Sequence, residues 1–190
     1  MIIMINGAFG VGKTTVANEL LPKIDNSMLF DPETVGFMLR EIIPDTLKRP
    51  SEQTDNFQDL KLWKVLVVEM ARQLKAEYGR HLIVPMTLAD KEIFTFIQEG
   101  FRQIDPDTVH YCLTASKEVI HERLRGRGER DGDWCFRKTD MCLAAFDDPA
   151  FERRIPTSGI RPQQVTEHIH TSIREQYMER TERRGQLNGL

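Results

Sequence analysis

An α/β fold, with helices covering both faces of a mostly parallel five-stranded sheet, is predicted by three features of the sequence. Five short apolar or β-rich runs alternate with segments of helical periodicity. The first run, Met1 to Ile5, is apolar at every position, as a strand buried on both faces must be. It leads directly into Gly7-Ala-Phe-Gly-Val-Gly-Lys-Thr14, and in such sheets ligands bind at the carboxyl ends of the strands, where this glycine turn falls.

The helix after the glycines starts at Thr14 and carries Val16, Ala17, Leu20 and Leu21 at helical spacing, with Pro22 marking its end. Met28 to Phe30 is the second strand. Asp31-Pro32-Glu33 opens a helix that runs through Val35, Met38, Leu39 and Ile42 to Pro44. Asp45 to Asn56, rich in Pro, Ser, Asp and Thr, reads as loop. Leu60 to Tyr78 is a long helix whose apolar face is expected to hold Leu62, Leu66, Val67, Met70, Ala71 and Leu74. His81 to Thr87 and Val109 to Thr114 are the third and fourth strands, separated by a helix over Lys91 to Gly100 and a turn at Asp105-Pro106-Asp107. A helix over Lys117 to Arg125 precedes Gly-Arg-Gly-Glu-Arg-Asp-Gly-Asp-Trp134, a segment too polar to bury much and therefore expected to move. Helix returns over 139–147, a short fifth strand lies near Arg154 to Pro156, and a last helix spans Arg161 to Arg184 with Val165, Ile169, Ile173 and Tyr177 on one face.

Composition narrows the classes of function. With 190 residues, 40% hydrophobic and 29% charged, the chain holds material for one core of ordinary size, and one domain over 1–190 is expected. The net charge is −3 and the 26 Lys and Arg are dispersed, so no nucleic-acid partner is expected. Cys112, Cys135 and Cys142 fit neither a zinc ribbon nor a disulfide framework, which suits a reducing, cytoplasmic location. No run approaches a membrane span, and the opening segment lacks the features of a signal peptide. The last helix has a narrow apolar face and mixed charge, which disfavours a membrane-surface role. Oligomeric state is left open.

The glycine turn has the residue types that triphosphate binding requires. Main-chain amides can encircle phosphate only where side chains do not intrude, and Gly7, Gly10 and Gly12 give that freedom. Val11 and Thr15 complete the expected nucleotide contacts. Lys13 places a charge across the β- and γ-phosphates, while the Thr14 hydroxyl is positioned to ligate Mg²⁺.

From these residues the chain resembles the P-loop small-molecule and nucleoside monophosphate kinases. Arg123-Leu-Arg-Gly-Arg127 resembles their lid signature, which implies that Arg123 stacks on adenine and Arg127 reaches the phosphates, within a mobile lid of about 124–138. Phe37-Met-Leu-Arg40 is similar to a helix motif of adenylate kinases, in which the arginine holds the acceptor's phosphate. Asp31-Pro-Glu with Gly36-Phe-Met-Leu-Arg40, and Phe57-Gln-Asp before Leu62-Trp63, most resemble the tunicamycin-resistance ATP-binding proteins. The resemblance implies a three-layer P-loop NTPase fold with strand order 2-3-1-4-5, and a nucleoside-like second ligand. Acceptor-side helices at about 32–80 would then bring Arg40, Gln58 and Trp63 to that ligand.

Asp31 ends the second strand, expected beside the strand that feeds the loop, where a carboxylate takes the proton of an attacking hydroxyl or binds Mg²⁺ through water. It also suits the N-cap of the following helix. Glu33 and Asp90 read as surface charges, weaker candidates for the same work. The expected function is ATP- and Mg²⁺-dependent transfer of the γ-phosphoryl group to a hydroxyl of a small nucleoside-like molecule, with Lys13, Asp31 and Arg127 as the catalytic set. The alternative is a protein that uses ATP to sequester a nucleoside antibiotic without transfer. A GTP switch is excluded by the missing Asn-Lys-x-Asp motif, and a ring-forming ATPase is disfavoured because 190 residues leave no room for its extra helical domain.

Overall fold

The computed structural model describes residues 1–187, with side chains through residue 176. The sheet comprises β1 (Ile2–Gly7), β2 (Ser27–Leu29), β3 (His81–Pro85), β4 (Val109–Thr114) and β5 (Arg154–Pro156), all parallel in the order β2-β3-β1-β4-β5. The predicted order holds. One expectation does not: β3 lies between β1 and β2, so Asp31 follows a strand one place removed from the strand of the glycine loop.

Alternate residues of β1 feed two cores, which is why the run is apolar throughout. Ile3 and Ile5 pack with α1 (Lys13–Leu20) and α7 (Pro162–Leu187), through Val16, Ala17, Leu20, Val165, Ile169 and Ile173. The fourth residue expected on that face, Tyr177, has its side chain outside the described residues. Ile2 and Met4 join the larger core of α2 (Pro32–Ile42), α3 (Lys61–Tyr78), α4 (Lys91–Ile104), α5 (Lys117–Gly126) and α6 (Trp134–Phe146).

Three elements differ from expectation. Helix α3 turns Trp63, Val67, Val68 and Ala71 inward and leaves Leu62 and Met70 exposed. Two apolar stripes run along this helix, and packing selects the one carrying the large indole. Helix α4 continues beyond Gly100 to Ile104, because Gly100 marks an approach and not an end: a Cβ there would sit 2.7 Å from the Val68 methyls. Helix α6 begins at Trp134, within the segment expected to be loop, since Trp134 packs edge-on against Phe9 at 4.8 Å and Phe136 meets His121 at 4.7 Å. The polar stretch after α2 is drawn into 3₁₀ turns at Asp45–Leu47 and Pro50–Glu52, followed by a third at Phe57–Asp59. Among the described residues, no helix is long and apolar enough to cross a membrane.

His110 on β4 is 6% exposed, lies 4.7 Å from the Phe94 ring, and has neither ring nitrogen hydrogen-bonded. Burial holds it neutral, with its pKa down from 6.5 to about 3, helped by the charges of Arg153 and Arg102. Below pH 6.5 the unfolded chain binds a proton that the folded one refuses, so stability is lost as pH falls towards the folded value. From this group alone the loss is expected to reach about 2 kcal/mol at about pH 5. Denaturant unfolding across that range should show it, and His110→Leu should flatten that slope.

Candidate nucleotide and acceptor site

The loop between β1 and α1 is built by three constraints. Gly7 holds φ 143°, and a Cβ there would lie 2.4 Å from the Leu113 carbonyl oxygen of the neighbouring strand. Gly12, at φ 107°, forms the N-cap of α1 with open space where a side chain would stand, so its requirement is conformational. The third constraint is Asn6, fully buried at the end of β1. Its Oδ1 accepts from the amides of Gly7 (2.8 Å) and Leu88 (2.9 Å), and its Nδ2 donates to the Leu88 carbonyl at 3.1 Å. One side chain thus joins the loop to the segment after β3, a connection that nothing in the sequence pattern announces.

Lys13 is 9% exposed, and its Nζ donates to the Ala8 carbonyl at 2.9 Å and lies 5.5 Å from the centre of the Phe9 ring. Burial lowers its pKa to about 8, against the opposing pull of Glu33. The cation is thus folded back on its own loop. Thr14 and Thr15 are exposed on the first turn of α1.

On one side of the loop a cavity of about 420 Å³ is lined by Gly10, Val11, Gly12, Thr15, Arg123 and Arg127, six of the expected nucleotide contacts. Arg123 donates to the Val11 carbonyl (3.0 Å), the Thr157 hydroxyl (2.9 Å) and the Thr157 carbonyl (2.8 Å). Its edge is therefore committed to the loop and to the turn after β5. Arg127, exposed, lies close enough for its charge to lower the Lys13 pKa, whereas Arg125 is turned away in an ion pair with Asp131 at 2.8 Å.

On the other side, a cavity of about 480 Å³ is bounded by Phe9, Glu33, Phe37, Arg40, Phe57 and Gln58 among others. Arg40 and Gln58 both line it. Arg40 donates to the Asp55 carbonyl and lies over the Phe57 ring at 5.5 Å; Gln58 Nε2 donates to the Thr87 carbonyl at 2.7 Å. Trp63 is not a lining residue. It is 1% exposed, with its indole N–H on the Pro32 carbonyl at 3.0 Å, and supports Phe57 from behind at 5.5 Å. Its indole is large enough to be the hub between α2 and α3, which removes it from the cleft.

Asp31 is exposed and caps α2, its Oδ1 accepting from the Glu33 amide at 2.9 Å. Glu33, expected on the surface, is instead half-buried in the cavity wall. Burial raises its pKa, the Asp31 charge adds to that, and Lys13 opposes both. Asp-Pro-Glu carried this signal, but it was also a good helix start. Phe9 and Trp134, which line the same cavity, carry no sequence signal at all. The thiols of Cys135 and Cys142 are pushed by burial to about 12 and about 11, so neither is a nucleophile at neutral pH.

Sheet order, glycine loop and flanking cavities define the class: a P-loop, kinase-like α/β protein. A model of the family described as "AAA domain" matches residues 3–141, and the chain belongs to that family. Among solved structures, a tunicamycin resistance protein of Deinococcus radiodurans aligns at 30% identity over 90% of this chain and 94% of its own, with a TM-score of 0.74. A gluconokinase of Sinorhizobium meliloti aligns at 15% identity over 95% of both chains (TM-score 0.65), and a sugar kinase of a Janibacter species at 19% over 90% and 92% (TM-score 0.60). The last two are similar in fold. No curated protein matches the sequence.

Proposed function

We propose that this protein is an ATP- and Mg²⁺-dependent phosphotransferase that moves the γ-phosphoryl group to a hydroxyl of a small, nucleoside-like acceptor. The observation that supports this most is the position of Lys13, next to Gly12 of the cavity carrying expected nucleotide contacts and against Phe9 of a second cavity lined by Glu33, Arg40 and Gln58. The likeness to the tunicamycin resistance protein supports a nucleoside-like acceptor.

In this reading the loop amides and Lys13 hold the β- and γ-phosphates, and Arg127 closes on the charge of the transferred oxygens. The acceptor hydroxyl loses its proton to Asp31 as its oxygen bonds to phosphorus and the bond to the β-phosphate oxygen breaks, releasing ADP. Glu33, with its raised pKa, stands next to Asp31 as a second proton acceptor. Exposed Thr14 and Asp31 are hard oxygen donors of the kind Mg²⁺ takes, and the described residues contain no cluster of three or more His, Cys, Asp or Glu able to hold a metal unaided. In this reading Thr14 and Asp31 would hold a cation bound to the nucleotide's phosphates, where it would supply charge neutralisation.

Incubation with γ-labelled ATP and a panel of nucleosides, tunicamycin included, tests the proposal. Label should appear in a new phosphorylated product, and label confined to ATP and free phosphate would leave only the sequestering alternative. Asp31→Asn is expected to lower kcat by about 10²–10⁴ and Glu33→Gln by about tenfold. Turnover of Asp31→Asn near the wild-type rate would remove that carboxylate from the mechanism.

A further inference from the structure

We infer that Asn6 is a positioning residue for the transfer: its carboxamide ties the phosphate-holding loop to the wall that carries the acceptor, and so fixes how far the γ-phosphoryl group stands from the attacking hydroxyl. This rests on the phosphotransferase reading and adds a residue to it.

The joint lies where β1 and β3 part. Their parallel pairing runs to Ile5 and Pro85, and the Met86 amide still donates to the Ile5 carbonyl at 3.0 Å. Beyond that point β1 continues beside β4, with Asn6 opposite Cys112 and Gly7 opposite Leu113, while the chain after β3 runs on to Asp90, the N-cap of α4. Leu88, within that stretch, is fully buried, so its amide and its carbonyl both need partners. A carboxamide carries the same donor and acceptor as a peptide group. Asn6, itself fully buried, supplies both: Oδ1 accepts from the Leu88 amide at 2.9 Å, and Nδ2 donates to the Leu88 carbonyl at 3.1 Å. The side chain extends the ladder past the point where the strands separate.

Each end of this joint reaches one half of the site. On the nucleotide side, the same Oδ1 accepts from the amide of Gly7, the first residue of the loop, at 2.8 Å. On the acceptor side, Thr87 precedes Leu88, and its carbonyl accepts from Gln58 Nε2 at 2.7 Å. The connection therefore runs from Gly7 through Asn6, Leu88 and Thr87 to Gln58. A cavity of about 270 Å³ separates the two sides, lined by Phe9 of the loop and by Gln58, Thr87, Ala89, Asp90 and Trp134. Transfer requires the reacting atoms to approach within about 3–3.5 Å, and misplacement by about 1 Å costs about 10²-fold in rate. Arg127 on one side and Arg40 on the other lie outside this chain of bonds, so loosening the joint should slow the reaction with little change in either affinity.

Two variants test this, with γ-labelled ATP, Mg²⁺ and the nucleoside of the panel that the wild type labels. Asn6→Asp, assayed at pH 8.5 to favour the carboxylate, keeps an acceptor for both amides and loses the donor to the Leu88 carbonyl. Asn6→Leu, of nearly the same shape, loses all three bonds. Calorimetry with a non-hydrolysable ATP analogue counts the folded sites, and rates are taken per site. The kcat should fall at least about tenfold in Asn6→Asp and about 10²-fold in Asn6→Leu, while acceptor KM and analogue affinity stay within about threefold of wild type. Label lost to free phosphate should rise relative to product, since water needs no wall to place it. If Asn6→Leu does not fold, Asn6→Asp carries the test alone. A wild-type kcat per site in a folded variant, or a loss borne by acceptor KM or by analogue affinity in place of kcat, would overturn the inference. The phosphotransferase reading fails in the wild type itself, by absence of labelled product, so the two failures are distinguishable.

Discussion

Lys13→Ala is expected to reduce nucleotide-dependent turnover by about 10²–10³ while leaving the fold at least as stable as before. The two halves of this expectation come from the same geometry. The ammonium is nearly enclosed, is partnered by one neutral carbonyl and a ring face, and has its pKa drawn down to about 8 by burial. Such a group is an electrostatic cost in the empty protein and a gain only when phosphate arrives. Thermal unfolding should therefore show an unchanged or higher midpoint for the variant without ligand, and a smaller upward shift than wild type when MgATP is added. Equal protection of both proteins by MgATP would show that the lysine does not contact the nucleotide.

Gly36→Ala is expected to destabilise the protein by about 1–3 kcal/mol and to impair the acceptor side selectively. A Cβ at Gly36 would lie 2.4 Å from the Phe57 ring, so the ring must leave its seat against α2. Phe57 stacks under Arg40, meets Phe37 at 5.6 Å, and immediately precedes Gln58; displacing it disturbs one wall of the 480 Å³ cavity. Chemical denaturation gives the stability change, and comparison of acceptor KM with ATP affinity shows whether damage is confined to one side. An unaltered acceptor KM would mean that Phe57 does not shape the cleft.

These effects differ in how far they could be foreseen. Lys13 stands in a spacing that few other chemistries need, so both its residue type and its neighbours were legible. Strand β1 was legible for the same reason: residues 2–5 feed two cores, and nothing but a doubly buried strand needs that run. Gly36 was not, because the demand on it comes from a ring twenty-one residues away, brought in by a 3₁₀ turn within a stretch of polar sequence. Trp63 illustrates a similar limit. Leu62 and Trp63 both lie on plausible apolar stripes of α3, and only the neighbouring helix decides which faces inward. Thr87, Phe9 and Trp134 carry no charge pattern and no motif, so their convergence follows from topology alone. Glu33 was visible but read as a surface charge, and the half-burial that alters its chemistry is a property of the assembled wall.

The three bonds from Arg123 to Val11 and Thr157 carry a mechanical implication. They rivet the phosphate loop, near the start of the chain, to the turn that follows the last strand. Shortening that distal turn, or replacing Thr157, would loosen the nucleotide's seat from a place in the chain where no nucleotide motif is written.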